Sequence, residues 1–375
     1  MLWVVGACSP APIPDDSGTP PVIEDTSTVD PMPTDTGTPA PLDPDALSAL
    51  GVVLGFDGST ISYAPGVQVY QIATPLFSDY AVKERAFALP EGTTAGYTAS
   101  GVLDFPLGTV LVKSFLLPAD LRVPTDELTL IETRVMFLEK DGWDTWPYLW
   151  NDEQTEAFKA PSGTVRPVTV TGFDGKPLTF PYLVPQRNQC VDCHERGKVE
   201  ARHTVPIGPT ARNLNVGGQL ADFAAAGLLD GLPPDDQVDA ATDALTLVGV
   251  DPTTLDDATL DSAARDYLDV NCAHCHNPLG TEGRSSQLFL NYDNDDAFNL
   301  GVCKKPGSAG AGTGGFTFDI LPGVPEESIL WFRLQTSVVG EMMPDIGRSL
   351  VHDDGVTLLA EWIRRIDGVC KADGS

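Results

Sequence analysis

The sequence is short of positive charge. It holds 23 Lys and Arg against 53 Asp and Glu, which gives a formal net charge of −30 at pH 7. A nucleic-acid-binding protein needs a basic face, and anionic lipid attracts basic segments, so both are disfavoured as partners. Beyond the N-terminus the sequence also lacks the run of about 20 apolar residues that a transmembrane helix requires. It has no phosphate-binding loop and no Ser/His/Asp set of the kind that hydrolases use.

Cysteine is scarce too, yet four of the seven cysteines fall in two Cys-x-x-Cys-His units. The units are Cys190, Cys193, His194 and Cys272, Cys275, His276. In this motif both cysteines form thioether bonds to the vinyl groups of haem, and the histidine binds the iron. We therefore expect two covalently bound haem c groups. The alternatives are a zinc site that draws on both units, and a thioredoxin-like redox pair, for which no βαβ context is present.

The second unit has the surroundings typical of a cytochrome. A predicted helix at about 259–270 leads into it, and "GEMMPDIGRSL" and a predicted amphipathic helix from about 353 follow it. This order resembles class I cytochrome c, in which the methionine before the proline is the second axial ligand. The resemblance assigns that role to Met343, with Met342 as the substitute. His274 lies inside the unit, and we expect it not to bind iron.

The first unit has no Met-Pro loop of its own. The candidates for its second axial ligand are His203, which is nearest in the sequence, Met136 and His352. An open sixth position would instead allow a small molecule such as peroxide to bind. We expect Arg333, Arg348, Lys304 and Lys305 either to pair with haem propionates or to be solvated surface cations.

The predicted fold class is α+β, with a β-rich domain of sandwich or barrel type followed by a mainly α, cytochrome c-like domain. Short apolar runs separated by Gly, Pro and Asp predict strands over 49–188. "IETRVMF" alternates as a half-buried strand should. We expect the first haem segment at 189–250 and the second haem domain at 251–375. In the last predicted helix, Val356, Leu359, Trp362, Ile363 and Ile366 share one face, and Asp353 or Asp354 is the expected cap.

The first eight residues, "MLWVVGAC", resemble a truncated lipoprotein signal in which Cys8 is lipidated, although a chance apolar start fits as well. Residues 9–48 are rich in Pro, Thr and Asp, which predicts a disordered tether. We therefore expect a periplasmic or cell-surface protein whose membrane contact is a lipid anchor. Two cysteines lie outside these motifs, Cys303 and Cys370. In an oxidising compartment we expect them to form a disulfide, and two separate thiols are the alternative.

Several longer sequence segments within residues 70–370 resemble those of a known family. They include "TPLFSDYAVKERAFALPEG", "ETRVMFLEKDGW", "YLWNDEQTEA", "CKKPGSAGAG" and "LPGVPEESILWFRL". Together they are similar to a family of bacterial exported di-haem c-type cytochromes whose physiological role is not characterised. The resemblance implies one-electron transfer to a redox partner protein. The alternatives are a di-haem peroxidase or oxidase with one open haem, and a cell-surface binding lipoprotein.

Overall fold

The first part of the folded chain is built around a six-stranded antiparallel sheet. The structure is a computed structural model, and it describes residues 44–234, 237–243, 249–307 and 309–371. In these residues the strands are β1 (Val53–Phe56), β2 (Ile61–Tyr63), β3 (Gln68–Tyr70), β4 (Val82–Ala88), β5 (Ala95–Gly96), β6 (Val110–Pro118), β7 (Leu128–Glu139), β8 (Gly142–Trp150), β9 (Ala157–Lys159), β10 (Thr164–Thr171), β11 (Pro177–Val184), β12 (Glu195–Arg196), β13 (His203–Thr204) and β14 (Leu229–Asp230). The helices are α1 (Cys190–His194), α2 (Ala211–Leu214), α3 (Gln219–Ala225), α4 (Asp257–Asn271), α5 (Gly283–Ser286), α6 (Ile329–Gln335) and α7 (Asp353–Arg365).

The sheet has the strand order β3-β4-β6-β7-β8-β9, so within the described residues it is open, with β3 and β9 at its edges. The β10–β11 hairpin is separate, and its Phe180 and Tyr182 pack with Phe115 and Ile131 of the sheet. Short strands pair elsewhere, as β1–β2, β12–β13 and a parallel β5–β14. The mixture of helices with a multi-stranded sheet agrees with the α+β class.

Both faces of the sheet are covered. Side chains alternate along each strand, so Val112 and Val135 face one core, whereas Leu111 and Met136 face another. The second core also takes in Leu214 and other residues of α2 and α3. Residues on the two sides of position 188 therefore share one core.

The central strand β7 differs from the half-buried strand that its alternation predicted. Glu132 and Thr133 are both fully buried, although they point to opposite faces. The reason is that the hairpin and the N-terminal strands cover the two sides of the sheet, and a central strand then has no solvent face. The alternation of polar and apolar residues therefore reflects two buried faces of different composition.

The C-terminal part is held together by the crossing of α4 and α7. Leu260, Leu268, Leu359, Trp362 and Ile363 form its core, so the predicted apolar face of α7 is buried as expected. The helix α4 begins after Asp256, whose carboxylate accepts a hydrogen bond from the backbone N–H of Thr259 at 2.9 Å.

The expected cap of α7 was wrong. His352 occupies the cap position, and Asp353 and Asp354 lie in the first turn of the helix. There they still complement the positive end of the helix dipole.

The folded body begins earlier than the end of the predicted tether. Leu47 is buried in the core of the sheet, and the Tyr148 hydroxyl donates to the carbonyl of Pro44 at 3.0 Å. The described residues from 44 onward belong to one compact unit. The predicted signal, Cys8 and the tether up to residue 43 lie outside the described residues. Among the described helices, none is both long and apolar enough to cross a membrane.

Candidate functional site

The first Cys-x-x-Cys-His unit forms the short helix α1, close to one face of the sheet. The strand β11 ends at Val184, and a turn at Arg187–Gln189 leads directly into Cys190. The Nδ1 atom of His194 lies 2.8 Å from the carbonyl oxygen of Val205. Burial lowers the pKa of His194 to about 4, so the ring is neutral. Nδ1–H then donates to the carbonyl, which leaves the lone pair of Nε2 free to bind a metal.

This histidine lines a large cavity of about 1010 Å³. Cys190 and Cys193 line it as well, and the opposite wall is the sheet face that carries Met136. The volume lies at the upper end of the range for ligand and cofactor pockets. The first unit therefore stands where a large planar group could be bound between α1 and the sheet.

The second unit follows α4 without a break. Cys272 is at the C-terminal cap of that helix and packs against the C-terminal core. Asn271, just before it, accepts a hydrogen bond from the backbone N–H of Phe77 at 2.7 Å, which ties the unit to the chain around the sheet. The Nδ1 atom of His276 is buried and has no hydrogen-bond partner in the described residues. Burial lowers the pKa of His276 to about 4, so this ring is also neutral and able to bind a metal.

The two units touch one another. The sulfur atoms of Cys193 and Cys275 and a ring nitrogen of His274 all lie within 4.8 Å of one another. Their side-chain interaction raises the pKa of the Cys193 thiol and lowers the pKa of the Cys275 thiol. The Cys275 thiol also donates to the carbonyl oxygen of Asp192 at 3.0 Å. His274 is only 5 % exposed, and its Nδ1 has no hydrogen-bond partner in the described part of the chain. The zinc alternative drawn from the sequence requires such a contact, but no local pattern predicts it, because Cys193 and Cys275 are 82 positions apart.

The Met-Pro loop lies between α6 and α7, and Arg348 determines its shape. Arg348 is 4 % exposed and donates hydrogen bonds to the carbonyls of Arg333, Thr336 and Met343 at 2.8–3.1 Å. Met342 is buried and Met343 is half-buried. Arg348 is therefore held against the backbone of the loop, and it is not the solvated surface cation that was one of the two expectations for it.

Lys304 is committed in a similar way. It is buried, and its ammonium lies 3.2 Å from a carboxylate oxygen of Asp319, which is also buried. Neighbouring Cys303 is joined to Cys370 by a disulfide, with their Cα atoms 5.1 Å apart.

The candidates for the second ligand of the first unit separate into two groups. Met136 and His203 line the same cavity as His194, from the sheet and from β13 respectively. His203 is exposed, and its Nδ1 lies 3.3 Å from the carbonyl of Ala201. His352 does not line this cavity. It is stacked on Phe77 with the ring centroids 4.3 Å apart, and its Nδ1 is 3.1 Å from the Tyr267 hydroxyl.

Comparison with known proteins adds no relative. No protein family, no curated protein and no solved structure matches this chain. The functional argument therefore depends on the residues and their arrangement.

Proposed function

We propose that this protein is a di-haem c-type cytochrome that transfers single electrons outside the cytoplasm. The strongest support is the arrangement of the first unit. His194 is neutral, its Nδ1 is hydrogen-bonded to the carbonyl of Val205, and it lines a cavity of about 1010 Å³ together with Cys190 and Cys193. Covalent attachment of haem c uses two thiols, which bond to the vinyl groups, and a neutral imidazole, which binds the iron.

Each Cys-x-x-Cys-His unit would bind one haem. Cys190 and Cys193 would hold one haem and Cys272 and Cys275 the other, with His194 and His276 as the proximal ligands. Met343 is the proposed second ligand at the second site; Met136 and His203, which both line the first cavity, are the candidates at the first. Haem would supply an iron that changes between ferric and ferrous, with a potential set by its ligands, burial and nearby charge.

The contact between the units favours transfer between the two sites. Because the sulfurs of Cys193 and Cys275 lie within 4.8 Å, groups attached there would be held side by side. In this function the protein keeps both histidines neutral and holds the two attachment points close together. No substrate chemistry is needed for this function.

The cellular location belongs to the same proposal. Covalent haem attachment, an N-terminal Cys8 after an apolar stretch and a Pro-rich segment together suit an exported, lipid-anchored protein. The partner would be another redox protein, with basic or neutral surface, since this chain carries a net charge of −30.

The test is to count the covalent haems. The chain is expressed in a host that matures c-type cytochromes, and intact mass is measured together with a pyridine haemochrome spectrum. We expect two haems per chain, one haem in Cys190→Ser/Cys193→Ser and one in Cys272→Ser/Cys275→Ser. The matched control is Cys303→Ser/Cys370→Ser, which removes two cysteines outside the units and should keep both haems. A colourless parent protein would refute the proposal.

A second candidate is a transition-metal site made by Cys193, His274 and Cys275. Its support is the convergence of three ligand atoms within 4.8 Å, two of them sulfur, which suits zinc with a fourth, open position. The two candidates compete for the same cysteines. Stoichiometric zinc without covalent haem in the parent, lost in His274→Ala, would favour this second function.

A further inference from the structure

Three cations lie directly opposite one another in the sheet. The register pairs Arg85 of β4 with Lys113 of β6, and Lys113 with Arg134 of β7. Residues paired in this way point to the same face, and all three line the large cavity. Like charges directly opposite across strands destabilise a sheet. We call these three residues the cation row.

Among the described residues one carboxylate pairs with the row; Asp104, Asp269 and Asp293 also line the cavity but form no ion pair with it. Glu132, on the same face, pairs with Arg134 through contacts of 2.6 and 3.0 Å and also accepts from the Tyr182 hydroxyl at 3.0 Å. Arg85 donates to the carbonyl of Lys83 at 3.2 Å and has no ion pair in the described part of the chain. Lys113 has neither a hydrogen bond nor an ion pair with a described residue.

Lys113 instead lies over the ring of Phe115, with its Nζ 5.0 Å from the ring centroid. Burial lowers the pKa of Lys113 well below its usual range, and the neighbouring Arg85 and Lys83 lower it further. Three basic side chains together on an interior wall are therefore costly, because Lys113 is either charged without a carboxylate partner or has lost its proton. An anion in the cavity would remove that cost.

The rest of the wall indicates what kind of anion fits. Beyond the row, the same face carries Leu111 and Met136, and Phe105 and Trp143 continue the apolar lining. The first unit shares this cavity with the row, because Cys190 and His194 line it as well. An occupant would need an apolar body against the apolar lining and carboxylates on the cations.

We propose that the cation row binds the carboxylates of a largely apolar molecule held in this cavity. Planar guanidinium groups bind carboxylates with two parallel hydrogen bonds, and a buried ammonium adds a point charge. The row covers two strand spacings, about 10 Å, so it can contact more than one carboxylate. The carboxylates come either from the propionates of a haem attached at Cys190 and Cys193, which rests on the proposed function, or from a free organic acid.

The first experiment uses the full chain with Cys190→Ser/Cys193→Ser, which cannot attach the first haem. Binding of protoporphyrin IX is compared with binding of its dimethyl ester, which has the same ring without carboxylates. We expect the diacid to bind at least about tenfold more tightly, and we expect Lys113→Met to remove most of that preference. The matched control is Lys176→Met, an exposed lysine between β10 and β11. Equal binding of diacid and ester would overturn the proposal in its haem form.

The second experiment uses the matured protein with both haems in place, and the probe is laurate. If the carboxylates belong to haem, laurate does not bind. If they belong to a free acid, laurate binds to the matured protein, and Lys113→Met weakens it about tenfold. Equal diacid and ester binding together with no laurate binding overturns the proposal altogether.

The third measurement is the sign of the stability change. In the chain without an occupant, Lys113→Met removes an uncompensated cation, and the melting temperature should rise by about 2 °C or more. With the occupant bound, the same change removes a partner of a carboxylate, and the melting temperature should fall. A change of the same sign in both states argues against the row. Failure of the proposed function is a different result: the intact mass of the parent protein would then show no covalent haem.

Discussion

The contact between Gly355 and Tyr267 allows a sharp test of the helix crossing that positions the second unit. A Cβ atom added at Gly355 of α7 would lie 2.4 Å from Cζ and Oη of Tyr267 and 2.5 Å from its Cε2. Tyr267 is in α4, five residues before Cys272, and its hydroxyl is held by His352 at 3.1 Å. The rigid ring therefore has little freedom to move away.

Two effects of opposite sign compete when Gly355 becomes alanine. Alanine is favoured over glycine inside a helix by about 0.8–1.0 kcal/mol. Forcing an extra methyl group into a packed contact costs about 1–3 kcal/mol, and a contact near 2.4 Å belongs at the upper end of that range. We therefore expect Gly355→Ala to lower the free energy of unfolding by about 1–2 kcal/mol.

The assay is urea unfolding followed by far-ultraviolet circular dichroism. Thr357→Ala, at an exposed position of the same helix, is the control, and it should be neutral or slightly stabilising. In a Tyr267→Leu background the clash is gone, so Gly355→Ala should cease to destabilise, and the double-mutant cycle measures the coupling. If Gly355→Ala is as stable as the parent, the close approach of the two helices is refuted.

Three further predictions concern the second site, the disulfide and a buried histidine. Met343→Ala should abolish the weak far-red absorption band of a Met-ligated ferric haem, whereas a band present in the parent that survives the change would show that another residue binds that iron. Cys303→Ser/Cys370→Ser opens a loop with a sequence separation of 67 residues; it should cost about 4 kcal/mol in urea unfolding, and parent protein kept in reductant should match the variant. A cost near zero would contradict that estimate. Burial lowers the pKa of His352 to about 4 from its ordinary value of 6.5, so the unfolded chain takes up this proton first as the pH falls. The free energy of unfolding should therefore drop between pH 6.5 and pH 4, by as much as about 3 kcal/mol. His352→Gln should make this pH dependence less steep. An unchanged pH dependence would count against the burial of this ring.

The local pattern was enough to predict the individual elements. The 3.6-residue periodicity of Val356, Leu359, Trp362 and Ile363 predicted α7, and all four pack in the C-terminal core. The apolar runs around 110–118 and 128–139 predicted β6 and β7. These predictions succeed because periodicity records which side of one element is covered. It does not record what covers it, and for that reason the full burial of Glu132 on β7 was missed.

The candidate site divides in the same way. The spacing of cysteines and histidines predicted both units, because adjacent attachment points must come from adjacent residues. The contact between Cys193 and Cys275, with His274 beside them, depends on how the chain returns to itself after 82 residues, which no local pattern encodes. The cation row was missed for the same reason. Its signal was present as Arg85 in "VKERAF", Lys113 in "VLVKSF" and Arg134 in "IETRVMF", but three strands had to be placed in register to bring those cations together.

The net charge of the chain conceals a difference between its acidic surface and the basic wall of the cavity. Many carboxylates of the described residues are exposed, and their fields fall off within about 8 Å at physiological salt. That acidity therefore acts on approaching partners and becomes weaker as salt is added. The cation row lines an interior cavity, where salt screens charge less, so its attraction for an anionic occupant should depend less on ionic strength. A cavity lined by cations inside an acidic protein can thus hold an anionic group firmly while the surface continues to repel other anions.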